Sequence, residues 1–358
     1  MSQAGGGPPT VALDAYEETA RAAFSQSGYG GEIVEVTELS PMVSTNHVYR
    51  LSLAGGHHLV AKVSSYGSYW LFTEDHDRLH RCRQQLHDTR YANLLADTVT
   101  KDGRVFVHRD GDLWAALYDE VPKRRSLPRI VSGEDVQNLA EEMARFHQAC
   151  REVARLVPPT STSIKSDAIH LLDLLSDPAT AGRFPYDRDE RATIQAHAER
   201  FLEQLDVLGY DDWVKIPVLI DWNLGNFSVD YHGDRFRLYS RWDYDWFRMD
   251  PRTLDFYFLS RVSSRTGDRT VFTYGPHTFV EPRFQMFLAA YHRVYPLRPN
   301  EVRFLREVYR FFILNYVIRQ GYAFFRPELA ARLQREAVTS YLPAADELDL
   351  EPLLSIVD

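Results

Sequence analysis

Hydrophobic and polar positions alternate along the first third of the chain and recur at helical spacing along most of the remainder. Alternation in Glu32-Ile33-Val34-Glu35-Val36, from Val48 to Leu53 and from His57 to Val63 predicts three strands. Ala54-Gly55-Gly56 is the turn between the second and third. The stretches Arg104 to His108 and Leu113 to Tyr118 flank Asp110-Gly111-Asp112 and predict a further hairpin, while the polar segment from Thr73 to Leu95 reads as one helix or two. Five strands and a helix make a small, mostly antiparallel N-terminal lobe.

The pattern changes after Pro122. A basic, Pro-containing linker leads to Ser132-Gly133-Glu134-Asp135, a helix start with a capping Ser and an acid at the third position. Val136, Leu139, Met143, Phe146, Cys150 and Val153 then mark one apolar helical face. Pro158 to Ser163 reads as a loop, and helical patterns resume from Asp167 and again from Asp189 to Leu208. The rest is predicted helical except for a strand pair around residues 216–242, and the Ser-, Arg-, Thr- and Gly-rich stretch 262–275 reads as a mobile loop. The expected organisation is α+β: a flexible tail and leading helix over 1–31, a first lobe over 32–121, a linker over 122–133 and a mainly helical second lobe over 134–358.

With 358 residues, 44% of them hydrophobic and 13% aromatic, the chain has room for two lobes and a substantial core. A formal charge of −9 argues against a nucleic-acid partner, since phosphate-backbone binding needs clustered cations. Lys123-Arg124-Arg125 is the only compact basic run, and it reads as a solvated linker between lobes. Cys82 and Cys150 are too few for a disulfide framework and both fall in helical segments, so the expected compartment is a reducing cytoplasm. Met1 to Thr10 lacks the basic segment and apolar stretch of a signal peptide. The best apolar run, Phe311 to Ile318, contains Asn315 and is too short to span a bilayer, so no membrane partner is expected.

The chemistry concentrates in Asp221-Trp222-Asn223-Leu224-Gly225-Asn226 and, one hairpin later, in Trp242-Asp243-Tyr244-Asp245-Trp246. An Asp with an Asn five residues on, both leaving a strand, can place a base beside an acceptor hydroxyl while the amide oxygen holds a metal near ATP phosphates. The spacing alone is weak, since Asp88 and Asn93 share it. Asp221, unlike Asp88, follows Ile216-Pro217-Val218-Leu219-Ile220, an apolar run typical of a buried strand.

In the order of its elements the chain resembles the aminoglycoside phosphotransferase and choline kinase family over roughly residues 32–345. The resemblance implies a two-lobed protein-kinase-like α+β fold, with an N-lobe antiparallel sheet plus helix and a C-lobe mainly helical around a catalytic β-hairpin. ATP and Mg²⁺ would sit between the lobes, with a small-molecule acceptor against the C-terminal helices, in a monomer or homodimer. Lys62 in Leu59-Val60-Ala61-Lys62-Val63 corresponds to the strand lysine aimed at the phosphates, and Glu74 to its helix partner, with Asp75 or Asp77 as alternatives. Ser44, Thr45 and Asn46 correspond to the phosphate-covering turn. Tyr118, Glu120 and Val121 correspond to the adenine-binding hinge, through backbone groups alone. His147 matches a helix His that supports the catalytic loop. The resemblance makes Asp221 the base and Asn226 and Asp243 the metal ligands, with Asp255 bracing the loops.

Two departures stand out. The family usually shows His-Gly-Asp where Leu219-Ile220-Asp221 stands, while His232-Gly233-Asp234 is a hairpin turn without the following Asn. Arg241 occupies the slot read as the usual metal Asp; either Asp243 holds the metal, with Asp245 in reserve, or Arg241 takes part of that charge role and the protein binds nucleotide or a small ligand without transferring phosphate. Asp245, Asp250 and Glu281 would suit a cationic acceptor such as an aminoglycoside, amino sugar or amino alcohol. Phe311, Phe312, Tyr316, Tyr322, Phe324 and Phe325 either stack on the acceptor or, at helical spacing, belong to the core.

Overall fold

Helix α1 (Leu13–Ser27) lays Tyr16, Ala20, Ala23 and Phe24, spaced at helical intervals, against the buried face of a sheet. In this computed structural model, which describes residues 13–40, 46–181, 184–266 and 272–357, the chain divides into two compact units. The first comprises residues 1–77 and 97–120; the second comprises 78–96 and 121–358. Thus α1 joins the first unit, and residues 78–96 count with the second.

The sheet of the first unit is antiparallel. Its strands are β1 (Ile33–Glu38), β2 (His47–Leu53), β3 (His58–Ser64), β6 (Val107–Asp110) and β7 (Leu113–Asp119), in the order β1-β2-β3-β7-β6. The pairs with β7 are β3 on one side and β6 on the other, which is why nearly all of Leu113–Asp119 is buried, whereas the edge strand β1 stays largely exposed. The turn between β2 and β3 needs left-handed backbone, supplied by Gly55 and Gly56 at φ 152° and 80°. Helix α2 (Tyr69–Gln85) follows β3. The single predicted strand at Arg104–His108 is divided at Phe106: β4 (Thr100–Lys101) pairs with β5 (Arg104–Val105) apart from the main sheet.

In the second unit α3 (Gly133–Val153) starts where Ser132 accepts a hydrogen bond from the Asp135 N–H at 3.0 Å, and its predicted apolar face is buried throughout. Helices α4 (Ile164–Ser176), α5 (Pro178–Ala181) and α6 (Arg188–Leu208) follow, the last closed by Gly209 at φ 76°. Cys82 and Cys150 are free and buried.

Between these helices and α7 (Phe256–Ser263) lie two short ribbons. In one, β9 (Phe227–His232) and β10 (Arg235–Arg241) form the hairpin turned at Gly233. In the other, β8 (Ile216–Val218) pairs with β11 (Arg248–Asp250), a strand the hydrophobic pattern did not predict. The pattern fails because Arg248 and Asp250 are charged yet buried: Arg248 Nε lies 2.8 Å from Asp250 Oδ2, and Tyr210 donates to Asp250 Oδ1 at 2.7 Å. Helices α8 (Pro282–Val294), α9 (Pro299–Arg303) and α10 (Leu305–Phe312) lead into the remaining C-terminal helices. Among the described residues no helix is long and apolar enough to cross a membrane.

Candidate active site

The loop after β8 turns sharply. Asp221 N–H donates to the Leu219 carbonyl at 2.7 Å and Trp222 N–H to the Ile220 carbonyl at 2.9 Å, with Ile220 at φ 59°. A β-branched residue in left-handed backbone is costly, by about 1–3 kcal/mol, and needs surrounding structure to hold it. Asp255 supplies part of that hold: its Oδ1 accepts the N–H groups of Leu219 at 3.0 Å and Ile220 at 2.6 Å. Its Oδ2 lies 2.9 Å from His147 Nε2, and His147 Nδ1 lies 2.7 Å from the Tyr291 hydroxyl, all of it buried. Asp255 and His147 therefore have the bracing parts expected of them.

The Asp221 carboxylate, half-buried, accepts hydrogen bonds from the backbone N–H of Asn223 at 3.3 Å and from the Asn223 amide. Asn223 was not singled out from the sequence, though an Asx-type turn of this spacing is a usable signal. Asn226 donates its amide N–H to the Asp221 carbonyl at 3.3 Å, which orients the side chain on the loop that carries Asp221. The second loop is tied in directly, since Trp242 N–H donates to the Asn226 carbonyl at 3.0 Å.

Asp243 is exposed at the tip of that second loop, at φ 72°, and its Oδ1 accepts the Asp245 N–H at 3.3 Å. Among the described residues only Asp102, Ile220 and Asp243 combine a side chain with positive φ, so two of the three lie in these loops. Arg241 is engaged with the backbone of both loops. Its guanidinium is fully buried and donates to three carbonyls: Asp243 from Nη1 at 2.8 Å, and Leu219 at 3.0 Å and Asp221 at 2.8 Å from Nη2.

The oxygen donors Asn226 and Asp243 suit a hard divalent cation. Mg²⁺ is commonly held by one or two such groups together with substrate phosphates and water. Among the described residues no cluster of three His, Cys, Asp or Glu side chains is placed to hold a metal by itself.

The first unit places Lys62 in the middle strand β3, paired with Val48 on β2 and Ala116 on β7. Glu74 lies half-buried on α2, as do Asp75 and Asp77. His76, which sequence reasoning passed over, is buried on the same helix and hydrogen-bonded to the Phe72 carbonyl at 2.6 Å and to the Tyr118 hydroxyl. Burial, with the Lys62 charge adding to it, pushes the His76 imidazole down to about 3, so it is neutral there. Asn46 is buried and donates to the Tyr66 hydroxyl at 3.2 Å; Ser44 and Thr45 lie outside the described residues.

The expected hinge is partly taken up by the sheet. Tyr118 pairs with Val60 and bridges to Thr98, and Glu120 N–H donates to the His58 carbonyl at 3.2 Å, while the Glu120 carboxylate accepts from Arg50 Nε at 3.0 Å. Val121 is the first residue of the second unit after this strand.

Two expectations about the acceptor region change. Asp250 is buried in its ion pair with Arg248, and Glu281 accepts from Ser264 Oγ at 2.8 Å and Arg265 N–H at 3.1 Å, so each already has structural partners. Phe311, Phe312, Tyr316, Phe324 and Phe325 are core, with Tyr316 stacked on Trp246 at 4.4 Å; only Tyr322, 59% exposed, stands out of it. Of the loop expected over 262–275, residues 267–271 lie outside the described residues.

No protein-family model matches the sequence, and no curated protein matches it. Solved structures do resemble it. An amicoumacin kinase in complex with AMP-PNP, Ca²⁺ and Ami is 17% identical, with 95% of this chain and 96% of that one covered at a TM-score of 0.60. A microcompartment-associated aminopropanol kinase is 18% identical, with 94% and 99% covered at 0.59. A GDP and kanamycin complex of an APH(2″) protein is 12% identical, with 90% and 98% covered at 0.53. Likeness of this extent at these identities establishes the architecture: the chain has the kinase-like fold shared by aminoglycoside phosphotransferases and by aminopropanol and amicoumacin kinases.

Proposed function

We propose that this protein is an ATP- and Mg²⁺-dependent O-phosphotransferase acting on a small hydroxylated molecule. The observation that carries the reading is that the loops bearing Asp221, Asn226 and Asp243 are strained and bonded to one another. The similar proteins include one bound to AMP-PNP and Ca²⁺ and one bound to GDP and kanamycin, which supports a nucleotide and a divalent cation for this fold.

In the transfer, the acceptor oxygen forms a bond to the γ-phosphorus while the bond from that phosphorus to the β,γ-bridging oxygen breaks, and ADP departs with the electron pair. The hydroxyl proton passes to the Asp221 carboxylate, which the Asn223 N–H groups hold in one orientation. Asn226 and Asp243 would hold Mg²⁺, which when bound neutralises charge developing on the transferred phosphoryl group. Lys62 anchors the α- and β-phosphates as a point charge on a rigid strand. Phosphoryl transfer depends mainly on positioning and charge, so Leu219 and Ile220 in place of His-Gly leave the chemistry available. For the acceptor, an amino alcohol or amino sugar fits best, by analogy with the aminopropanol kinase and the kanamycin complex and in keeping with the acidic Asp243-Tyr244-Asp245 loop.

The test is mass-spectrometric detection of phosphorylated product, with ADP quantified, from Mg²⁺-ATP and a panel of amino alcohols and amino sugars. Acceptor-dependent ADP and a product heavier by one phosphate are expected. Lys62→Met should lower kcat/KM for ATP on the order of a hundredfold by removing a charge aimed at the phosphates. No product with any acceptor, or an unaffected Lys62→Met variant, would contradict the reading.

A further inference from the structure

A buried guanidinium is expensive. Its desolvation costs several kcal/mol unless the geometry returns it, and closing a hairpin like β9–β10 does not require one. Arg241 nevertheless sits at the last position of β10, opposite Phe227, with no exposed surface and with its own N–H bonded to the Leu94 carbonyl at 2.8 Å. Its guanidinium lies over the Trp222 ring at 5.1 Å and the Tyr244 ring at 5.9 Å, one ring from each of the two loops.

What the guanidinium bonds to is the informative part. The carbonyls of Leu219 and Asp221 flank Ile220, the residue at φ 59°, and both are bonded by the single nitrogen Nη2. The third carbonyl belongs to Asp243, at φ 72°. One planar fork thus joins the two strained points of the candidate site, and a Lys, with a compact ammonium in place of the fork, lacks the reach to replace all three bonds.

We propose that Arg241 is a positioning residue that fixes the base-bearing loop at Asp221 against the metal-bearing loop at Asp243. This rests on the phosphotransferase reading above and deepens it. The side chain touches no reactant; it sets the distance between the Asp221 carboxylate and the donors Asn226 and Asp243, on which an in-line transfer depends.

The test compares the natural full-length protein with Arg241→Lys and Arg241→Gln, using amide hydrogen exchange and steady-state kinetics at varied Mg²⁺. Exchange is expected to accelerate over 219–226 and 242–247 and to stay unchanged elsewhere. Turnover should fall about a hundredfold, as misplacement on the ångström scale allows, and half-saturating Mg²⁺ should rise, with acceptor KM little changed. A purely structural role would lower the unfolding midpoint and leave kcat per folded molecule and the Mg²⁺ requirement as they are. That result, unaltered exchange in the two loops, or global unfolding of both variants would overturn the proposal. If the natural protein transfers no phosphate to any acceptor, the phosphotransferase reading falls by itself, while the exchange experiment still decides whether Arg241 clamps the loops.

Discussion

Asp221→Asn is expected to lower turnover by roughly 10²–10⁴-fold, the usual contribution of a positioned general base, and to leave nucleotide affinity close to that of the natural protein. The two side chains have nearly the same size, so the turn at Leu219, Ile220 and Asp221, held by backbone bonds and by Asp255, survives the change. What is lost is the negative charge that, in the proposed mechanism, orients the acceptor hydroxyl and takes its proton. The loss therefore falls on kcat and kcat/KM together, the pattern of an interaction made in the transition state. Turnover equal to that of the natural protein would remove Asp221 from the chemistry and require a different base.

Asp255→Ala produces the largest expected loss of stability. The carboxylate is fully buried and accepts three hydrogen bonds, two from the Leu219 and Ile220 N–H groups and one from His147. Its removal orphans two buried amides and breaks the chain of bonds that runs through His147 to Tyr291. Breaking a buried, bonded cluster of this kind costs about 3–5 kcal/mol, which lowers the unfolding midpoint on the order of 10 °C. Activity measured well below that midpoint should fall as well, since Ile220 loses a restraint on its left-handed backbone. Thermal unfolding followed by circular dichroism checks the first part, and a shift of only one or two degrees would show that the loop does not depend on Asp255.

Much of the frame was legible because burial and period agree. The alternation in β2 and β3, the capping Ser132 and the apolar face of α3 all follow from side chains whose preference matches their place. Lys62 could be placed in a strand because apolar neighbours stand on both sides of it. Where the sequence misled, polar groups were buried with partners that linear pattern does not reveal. Arg248 and Asp250 hide a strand by pairing with each other and with Asp167 and Tyr210. The partners of Arg241 are backbone carbonyls brought from about twenty residues away by the turn at Ile220, which no linear pattern shows. His76 escaped attention because its importance lies in a bond to Tyr118, across the fold of the first unit. The aromatic run at 311–325 followed its helical spacing into the core, with Tyr322 the exception.

The most direct measurement is calorimetric binding of ATP with and without Mg²⁺, on the natural protein and on Asp243→Asn. The Asp243 side chain is exposed and accepts the Asp245 N–H, while the bond from Arg241 goes to its backbone carbonyl, so the variant should fold normally. The account predicts binding that needs Mg²⁺ in the natural protein and weakens at least about tenfold in the variant, in line with the loss of one of two protein ligands to the ion. Metal-independent binding, or equal Mg²⁺-dependent binding by the two proteins, would contradict the assignment of Asp243 and with it the metal-nucleotide site on which phosphotransfer rests.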